Sequence, residues 1–253
     1  MKTNYLFTYI IAYRHNLERL QNLRRVLEWV NLFNNVEIIL VEQDKHSKIS
    51  HLNLNINKHI FIKSDKSFNK SWAFNVGLKY STTDTIVFGD CDIIMDPQHF
   101  INGLLKLKEY DVVSPYDIVI DLTMEESKLQ LSDIIKINRM GRGENDNQKI
   151  NLCGGITFFN KSAILKIGGW CENIFGWGCE DDICAIMVEK LLNYIEIKNV
   201  KCYHLYHGKA KINMEEYRNN VDILNNFNQM SKEQLQIYAQ LSLPKIGNKN
   251  LLT

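Results

Sequence analysis

The chain has 253 residues, 45% hydrophobic and 23% charged, long enough to bury a core as one large domain or two small ones. A formal net charge of +1 and a pI near 7.6 leave no electrostatic footprint for nucleic acid or an anionic membrane surface. No run approaches the roughly 18 consecutive apolar residues of a membrane span, and the first apolar stretch meets Tyr13-Arg14-His15 without a small-residue cleavage site. A soluble, cytoplasmic protein is therefore expected.

In chain order, short apolar runs at 6–12 and 36–41 predict strands. Between them Leu17, Leu20, Leu23, Val26, Leu27, Val30 and Phe33 recur at helical spacing. A strand-helix-strand opening of this kind predicts an α/β domain with a parallel sheet. A strand at 59–63, a helix at 71–80 and a buried strand at 85–89 follow. The polar stretch 138–149 reads as a long surface loop, and the chain before the tail is divided into a first half, 1–100, and a second, 101–213. Beyond it, strands are expected at 156–159 and 195–203, and a helix at 182–194. A polar, Asn-rich helix at 214–241 is expected within the tail 214–253. The six cysteines form no C-x-x-C pair, so free thiols are expected rather than a zinc site or a disulfide framework. The Asn-Lys-Ser sequons at Asn69 and Asn160 carry no weight without a secretion signal.

Three segments carry chemistry. The run from Gly168 to Asp182 is rich in glycine and tryptophan and ends in Glu180-Asp181-Asp182. Glycines admit close backbone approach, indole faces stack on sugar rings, and an acid there can take a proton from a hydroxyl. Consecutive residues at a helix start point about 100° apart, so the three acids cannot all face one ligand. The helix dipole is expected to keep them ionised, and plain helix capping is the bland alternative. Trp177 reads either as a core tryptophan or, since Gly176 and Gly178 leave it little neighbouring side chain to pack against, as a ring that touches sugars, and the second is expected. The second segment, Asp90-Cys91-Asp92, follows the buried strand. In extended chain its two acids would share a side and could hold a divalent cation. Chance places roughly 0.8 such triplets in a chain of this composition, so the position after a strand carries the reading. The third is His204-Leu205-Tyr206-His207, whose imidazoles could join those carboxylates in a mixed nitrogen and oxygen site or simply be surface residues.

In this order the segments resemble the type A glycosyltransferase fold over roughly 10–211. The likeness is to the β-1,4-galactosyltransferase-like branch and its relatives among chondroitin-type polymerases and polypeptide N-acetylgalactosaminyltransferases. Ile10-Ile11-Ala12-Tyr13-Arg14 is similar to that family's Ile-Ile-Pro-Phe-Arg. The segment from Phe68 to Gly77 resembles its Phe-Asn-Arg-Ala-Lys-Leu-Leu-Asn-Val-Gly. Asp90-Cys91-Asp92 stands for Asp-Val-Asp, and Gly176-Trp177-Gly178-Cys179-Glu180-Asp181-Asp182 for Gly-Trp-Gly-Gly-Glu-Asp-Asp. The departures are Ala12 for proline, Lys70 for arginine and Cys179 for glycine.

The resemblance implies one Rossmann-like α/β domain over 1–253, with a central mixed, mostly parallel sheet flanked by helices. It implies an inverting transfer of a hexose or N-acetylhexosamine from a UDP-sugar to a glycan hydroxyl, with Asp181 as general base. It implies Mn2+ or Mg2+ on Asp92, His207 and His204. His204 stands where vertebrate members carry a methionine, a change expected to widen metal choice toward Mg2+. Donor-binding candidates are Ala12, Tyr13, Arg14, Glu42, Phe68, Lys70, Asp90 and Cys91. Those facing the acceptor are Gly154, Gly155, Trp177, Gly178, Glu180 and Asp182. A segment at 208–218 is expected to close over bound donor, and association with other glycan-assembly enzymes is a further expectation. A retaining enzyme of the N-acetylgalactosaminyltransferase kind and a catalytically silent sugar-binding module remain as alternatives. A sugar nucleotidyltransferase fits less well, since no glycine precedes Gly77 to build a phosphate loop.

Overall fold

The computed structural model describes residues 5–144, 148, 150–208 and 211–248. The chain begins with β1 (Phe7–Tyr13), α1 (Leu17–Val30), β2 (Val36–Asp44), β3 (Lys58–Lys63), α2 (Lys70–Tyr80) and β4 (Thr85–Gly89). All seven residues of β1 are buried, as expected of a strand covered on both faces. Its side chains alternate between two cores. Tyr9, Ile11 and Tyr13 pack with Leu23, Val26 and Val30 of α1, while Ile10 and Ala12 pack with Trp72, Ala73 and Val76 of α2. Asn16 starts α1 by accepting from the Arg19 amide, and Asn69 starts α2 by accepting from that of Trp72.

The second half adds β5 (Ile93–Met95), α3 (Pro97–Lys106), β6 (Val112–Ser114), β7 (Ile118–Asp121), α4 (Leu131–Ile134), β8 (Ile156–Asn160) and α5 (Lys161–Lys166). Then come α6 (Glu180–Leu191), β9 (Tyr194–Glu196), β10 (Lys201–His204), α7 (Met214–Gln229) and α8 (Lys232–Ser242). The main sheet has seven strands in the order β3-β2-β1-β4-β8-β6-β9. Only β8 runs antiparallel to its neighbours β4 and β6, so the sheet is mixed and mostly parallel, and strands from both halves share it. A second sheet, β5-β10-β7, stands beside it.

Three expectations need correction. The strand expected at 195–203 is two strands in two different sheets, because Asn199 takes a left-handed backbone (φ 61°) and turns the chain between them. The helical tail breaks at Ser231, where a capping box with Gln234 starts α8 afresh. Asp90 and Asp92 lie beyond the end of β4 in a turn, so the two-residue period of extended chain does not govern them. Of the expected 138–149 loop, residues 145–147 and 149 lie outside the described residues, as do 209–210 of the expected 208–218 closing segment and Met1–Asn4.

Candidate active site

The parallel strands β1 and β4 end at the same edge of the sheet, and the chemistry collects there. Lys70, at the first turn of α2, reaches three carboxylates: Glu180 and Asp181 at 2.9 Å each and Asp90 at 3.5 Å. With all three acids ionised, the single ammonium would leave a formal charge of −2 around a Lys70 that is only 15% exposed. The acids respond unequally. Burial pushes the Asp181 carboxyl up to about 8, with Lys70 opposing and the Glu180 and Asp90 charges reinforcing the rise. Burial also raises Asp90. At Glu180 burial acts in the same sense, but the charge and hydrogen bond of Lys70 outweigh it and hold the carboxyl below its ordinary value. Burial works against the Lys70 ammonium, and the Asp181, Asp90 and Glu180 charges together keep it protonated far above its usual range. The helix dipole was expected to keep Asp181 ionised, but it is worth only ~0.3–1 kcal/mol, and desolvation with like-charge crowding overrides it.

The three consecutive acids diverge as helix geometry requires. Glu180 and Asp181 turn to Lys70, while Asp182 accepts from the Asn151 side-chain amide at 2.7 Å. The Glu180 Oε2 atom is buried and has no hydrogen-bond partner among the described residues. A buried acceptor left bare is costly. Gly154 lies against the same acid: a Cβ there would stand 3.6 Å from Asp181 Oδ2. Gly155 has φ 73°, and a Cβ would come within 2.1 Å of the Tyr116 hydroxyl, so only glycine fits. The Gly155 carbonyl accepts from the Asp90 amide at 2.9 Å, joining the two segments.

Two residues past Asp90, Asp92 faces His204 and His207. Its Oδ1 is 3.9 Å from His204 Nε2 and its Oδ2 is 3.4 Å from His207 Nε2. One ligand atom from each of the three residues lies within 4.8 Å of the others. One carboxylate and two imidazoles on a shared focus fit a divalent transition ion that accepts nitrogen and oxygen. His204 titrates above its ordinary range: burial pulls it down, but the hydrogen bond to Asp121 and the charges of Asp92 and Asp121 outweigh that. Asp90 is turned to Lys70, so Asp90 and Asp92 divide between the two clusters.

Asparagines hold the glycine-tryptophan loop in place. Asn75 donates to the Trp170 carbonyl and to Glu172 at 2.8 Å each, and accepts from the Trp170 amide at 2.9 Å. Asn69 donates to the Glu172 carbonyl at 2.6 Å. On α7, buried Asn220 donates to the carbonyl of Phe175 at 2.8 Å and accepts from the Phe175 amide at 3.3 Å. It also reaches the carbonyls of Trp177 and Gly178 at 3.4 and 3.3 Å. Sequence reasoning missed these roles. The only available signal was the pair of asparagines within the 68–77 segment. Trp177 is 54% exposed and tilts against the Tyr217 ring at 5.7 Å, which rules out a core role. Cys179 keeps the left-handed backbone (φ 75°) that a glycine would take without strain.

The donor candidates separate. Phe68 is half-buried, and its carbonyl accepts from the Gly176 amide at 2.8 Å. Arg14 is half-buried and donates to the Lys66 carbonyl at 2.7 Å. Ala12, Tyr13 and Cys91 are buried in the two cores. Glu42 is fully buried and occupied by the Ser47 hydroxyl, the Lys48 amide and His59, so it anchors the loop after β2. Gly178 (φ 91°) packs near Tyr217. All six cysteines are buried and free. No helix among the described residues is long and apolar enough to cross a membrane.

A mostly parallel sheet with acids, imidazoles and a glycine-aromatic loop at its C-terminal edge defines a type A glycosyltransferase fold. The chain belongs to glycosyl transferase family 2, which it matches over residues 9–168. Residues 145–208 also match a family described as the N-terminal domain of galactosyltransferase. Human beta-1,4-galactosyltransferase 4 is 27% identical over 128 residues, which make up 49% of this chain and 30% of the human protein. The catalytic domain of Drosophila beta1,4galactosyltransferase 7, solved with xylobiose, is similar with a TM-score of 0.51 at 16% identity, over 89% of this chain and 81% of that one. S. aureus TarS 1-349 gives a TM-score of 0.59 at 12% identity, over 96% and 71%. It has also been solved with UDP-GlcNAc, in a structure similar at a TM-score of 0.59 and 11% identity.

Proposed function

We propose that this chain is a metal-dependent, inverting glycosyltransferase that moves a hexose or N-acetylhexosamine from a UDP-sugar to a glycan hydroxyl, acting as one domain. One observation carries the reading. The turn Asp90-Cys91-Asp92 joins a three-ligand nitrogen and oxygen cluster to an acid cluster containing Asp181, a carboxylate with a raised pKa.

Asp92, His204 and His207 would hold the ion. A set of one carboxylate and two imidazoles suits a transition ion such as Mn2+, with Mg2+ the alternative that a nitrogen ligand at His204 would admit. When bound, a divalent cation offsets the negative charge of a departing diphosphate. The rest falls to the protein. Asp181 takes the proton from the acceptor hydroxyl as that oxygen attacks the anomeric carbon from the face opposite the diphosphate. A base whose pKa is raised toward working pH is well matched to that transfer, which is typically worth ~10²–10⁴ in rate. Lys70 fixes the Asp181 carboxylate at 2.9 Å, and its charge favours the ionised form that can act as a base. Exposed Trp177 with Tyr217 offers an aromatic face to a saccharide ring. Phe68, Arg14 and Asp90 border the donor side. The UDP-sugar donor finds support in the likeness to S. aureus TarS, solved with UDP-GlcNAc.

The test is UDP release from a panel of UDP-sugars with Mn2+, with and without chelator, for wild type and Asp181→Asn. Metal-dependent release from one donor, lost in the variant, is expected. The coupling constant of the product's anomeric proton then reads inversion against retention. Chelator-insensitive release, or full activity in Asp181→Asn, rejects the assignment.

A further inference from the structure

Asp121 is outside the three-residue ligand cluster, yet the small sheet places it directly behind one member. Strands β7 and β10 pair in parallel with His204 opposite Asp121, and β10 pairs antiparallel to β5 with His204 opposite Ile93, the neighbour of Asp92. The register of three strands therefore lines up Asp121, His204 and Asp92. An imidazole has two ring nitrogens, and here each faces a different carboxylate. His204 Nδ1 lies 2.9 Å from Asp121 Oδ1, and its Nε2 points to Asp92. Asp121 is itself gripped by Arg142, whose Nε and Nη2 donate to its two oxygens at 2.8 and 2.9 Å. Arg142 is fixed in turn by paired backbone hydrogen bonds with Val119, each 2.9 Å.

We propose that Asp121, held by Arg142, is the positioning residue that presents His204 Nε2 to a divalent cation. The inference rests on the metal reading above. By taking the Nδ1 proton in a hydrogen bond, the Asp121 carboxylate fixes the tautomer in which Nε2 carries the free lone pair, and it locks the ring plane. Among the described residues, His207 Nδ1 meets the carbonyl of its neighbour Gly208, 2.8 Å away, and no carboxylate, so there the two histidines are not equally supported. Stability is not the reason for the arrangement. Asp121 and Arg142 are both substantially exposed, and exposed ion pairs add little.

The test is direct Mn2+ binding by the full chain, read from the electron paramagnetic resonance signal of free Mn2+, with and without UDP. Asp121→Ala is expected to weaken binding about 10- to 100-fold, and Asp121→Asn, which keeps an acceptor but loses the charge, by less. In a His204→Ala background, Asp121→Ala is expected to add no further loss, since its effect passes through His204. Binding by Asp121→Ala within twofold of wild type overturns the inference, as does an equal loss in both backgrounds. The Asn variant serves the same comparison should the Ala variant not fold. Asp92→Ala separates the two readings: if it binds Mn2+ as wild type does, the metal assignment fails and this inference with it. If binding falls in Asp92→Ala but not in the Asp121 variants, only the positioning role is lost.

Discussion

Replacing Glu180 with Gln isolates the charge crowding at Asp181. Both carboxylates lie 2.9 Å from the same ammonium, so the oxygens involved are at most about 6 Å apart, where two unit charges repel by about 3 kcal/mol at an effective dielectric of 20. That corresponds to about 2 pK units. A quarter of the Asp181 side chain meets solvent, and screening reduces the expected shift to about one unit. Gln is close in shape to Glu and still accepts from Lys70, so the variant changes charge more than geometry. Asp181 works as a base only when ionised. In the donor-free protein it titrates at about 8, so kcat/KM for donor should rise with pH through that value. In Glu180→Gln the midpoint should fall toward about 7. The midpoint is the readout and the height is not, because the substitution also changes the charge around Lys70. A midpoint that stays put in the variant, or a wild-type limb at the ordinary carboxylate value, refutes the argument.

Four further outcomes follow from the same contacts. Asp181 is raised from 3.8 to about 8, so between those values the folded protein holds a proton that the unfolded chain has released. Its stabilising contribution is complete below about 4 and lost as pH rises through 8; thermal melts of Asp181→Asn should gain on wild type as pH increases from 5 to 9, and parallel melting curves would contradict this. Asp92→Ala and His207→Ala should each abolish tight Mn2+ binding measured by calorimetry while leaving the circular dichroism spectrum unchanged. Asn220→Ala removes the side chain that holds the carbonyls of Phe175, Trp177 and Gly178; stability should fall by about 1–3 kcal/mol and kcat by about 10- to 100-fold through a misplaced loop, and an unchanged kcat would free the loop from α7. Gly155→Ala should cost about 2–4 kcal/mol in urea denaturation, from the strained φ and the clash with Tyr116.

The main sheet was legible where periodicity is long. The apolar runs at β1 and β2, of seven and nine residues, and the helical spacing of α1 gave the parallel core, because patterns that long leave little ambiguity, and the five residues of β4 were read from their continuous apolar run. The short strands β5, β6, β7 and β9, of three or four residues each, carry too few side chains to show a period. Asn199 hid the break between β9 and β10, since nothing in Ile195 to Tyr203 announces a left-handed turn except one asparagine. At the site, residue types could be read and partners could not. Glu180, Asp181 and Asp182 stood out as acids beside glycines, but the cation that Glu180 and Asp181 share, Lys70, lies 111 positions from Asp181. Glu42 shows the converse, an acid at a strand end whose oxygens the fold spends on its own loop.

The break at Asn199 has a functional meaning that a continuous strand would not allow. A strand running straight from 194 to 204 would stay in the main sheet beside β6, away from the turn that follows β4. By turning at Asn199, the chain leaves β9 and re-enters as β10 between β5 and β7. That step sets His204 opposite Ile93 and Asp121, with the Leu205 amide donating to the Asp92 carbonyl at 2.8 Å. His207 follows three residues later and closes on the same carboxylate. The small sheet thus acts as a bracket that carries two imidazoles to Asp92, while the main sheet and α6 carry Glu180 and Asp181 to Lys70. The two clusters meet through a single residue, Cys91, buried between Asp90 and Asp92. A bulky replacement there, Cys91→Phe, should therefore weaken Mn2+ binding and also alter the pH dependence of the thermal melts set by Asp181, whereas Asp92→Ala should weaken Mn2+ binding and leave that pH dependence as in wild type.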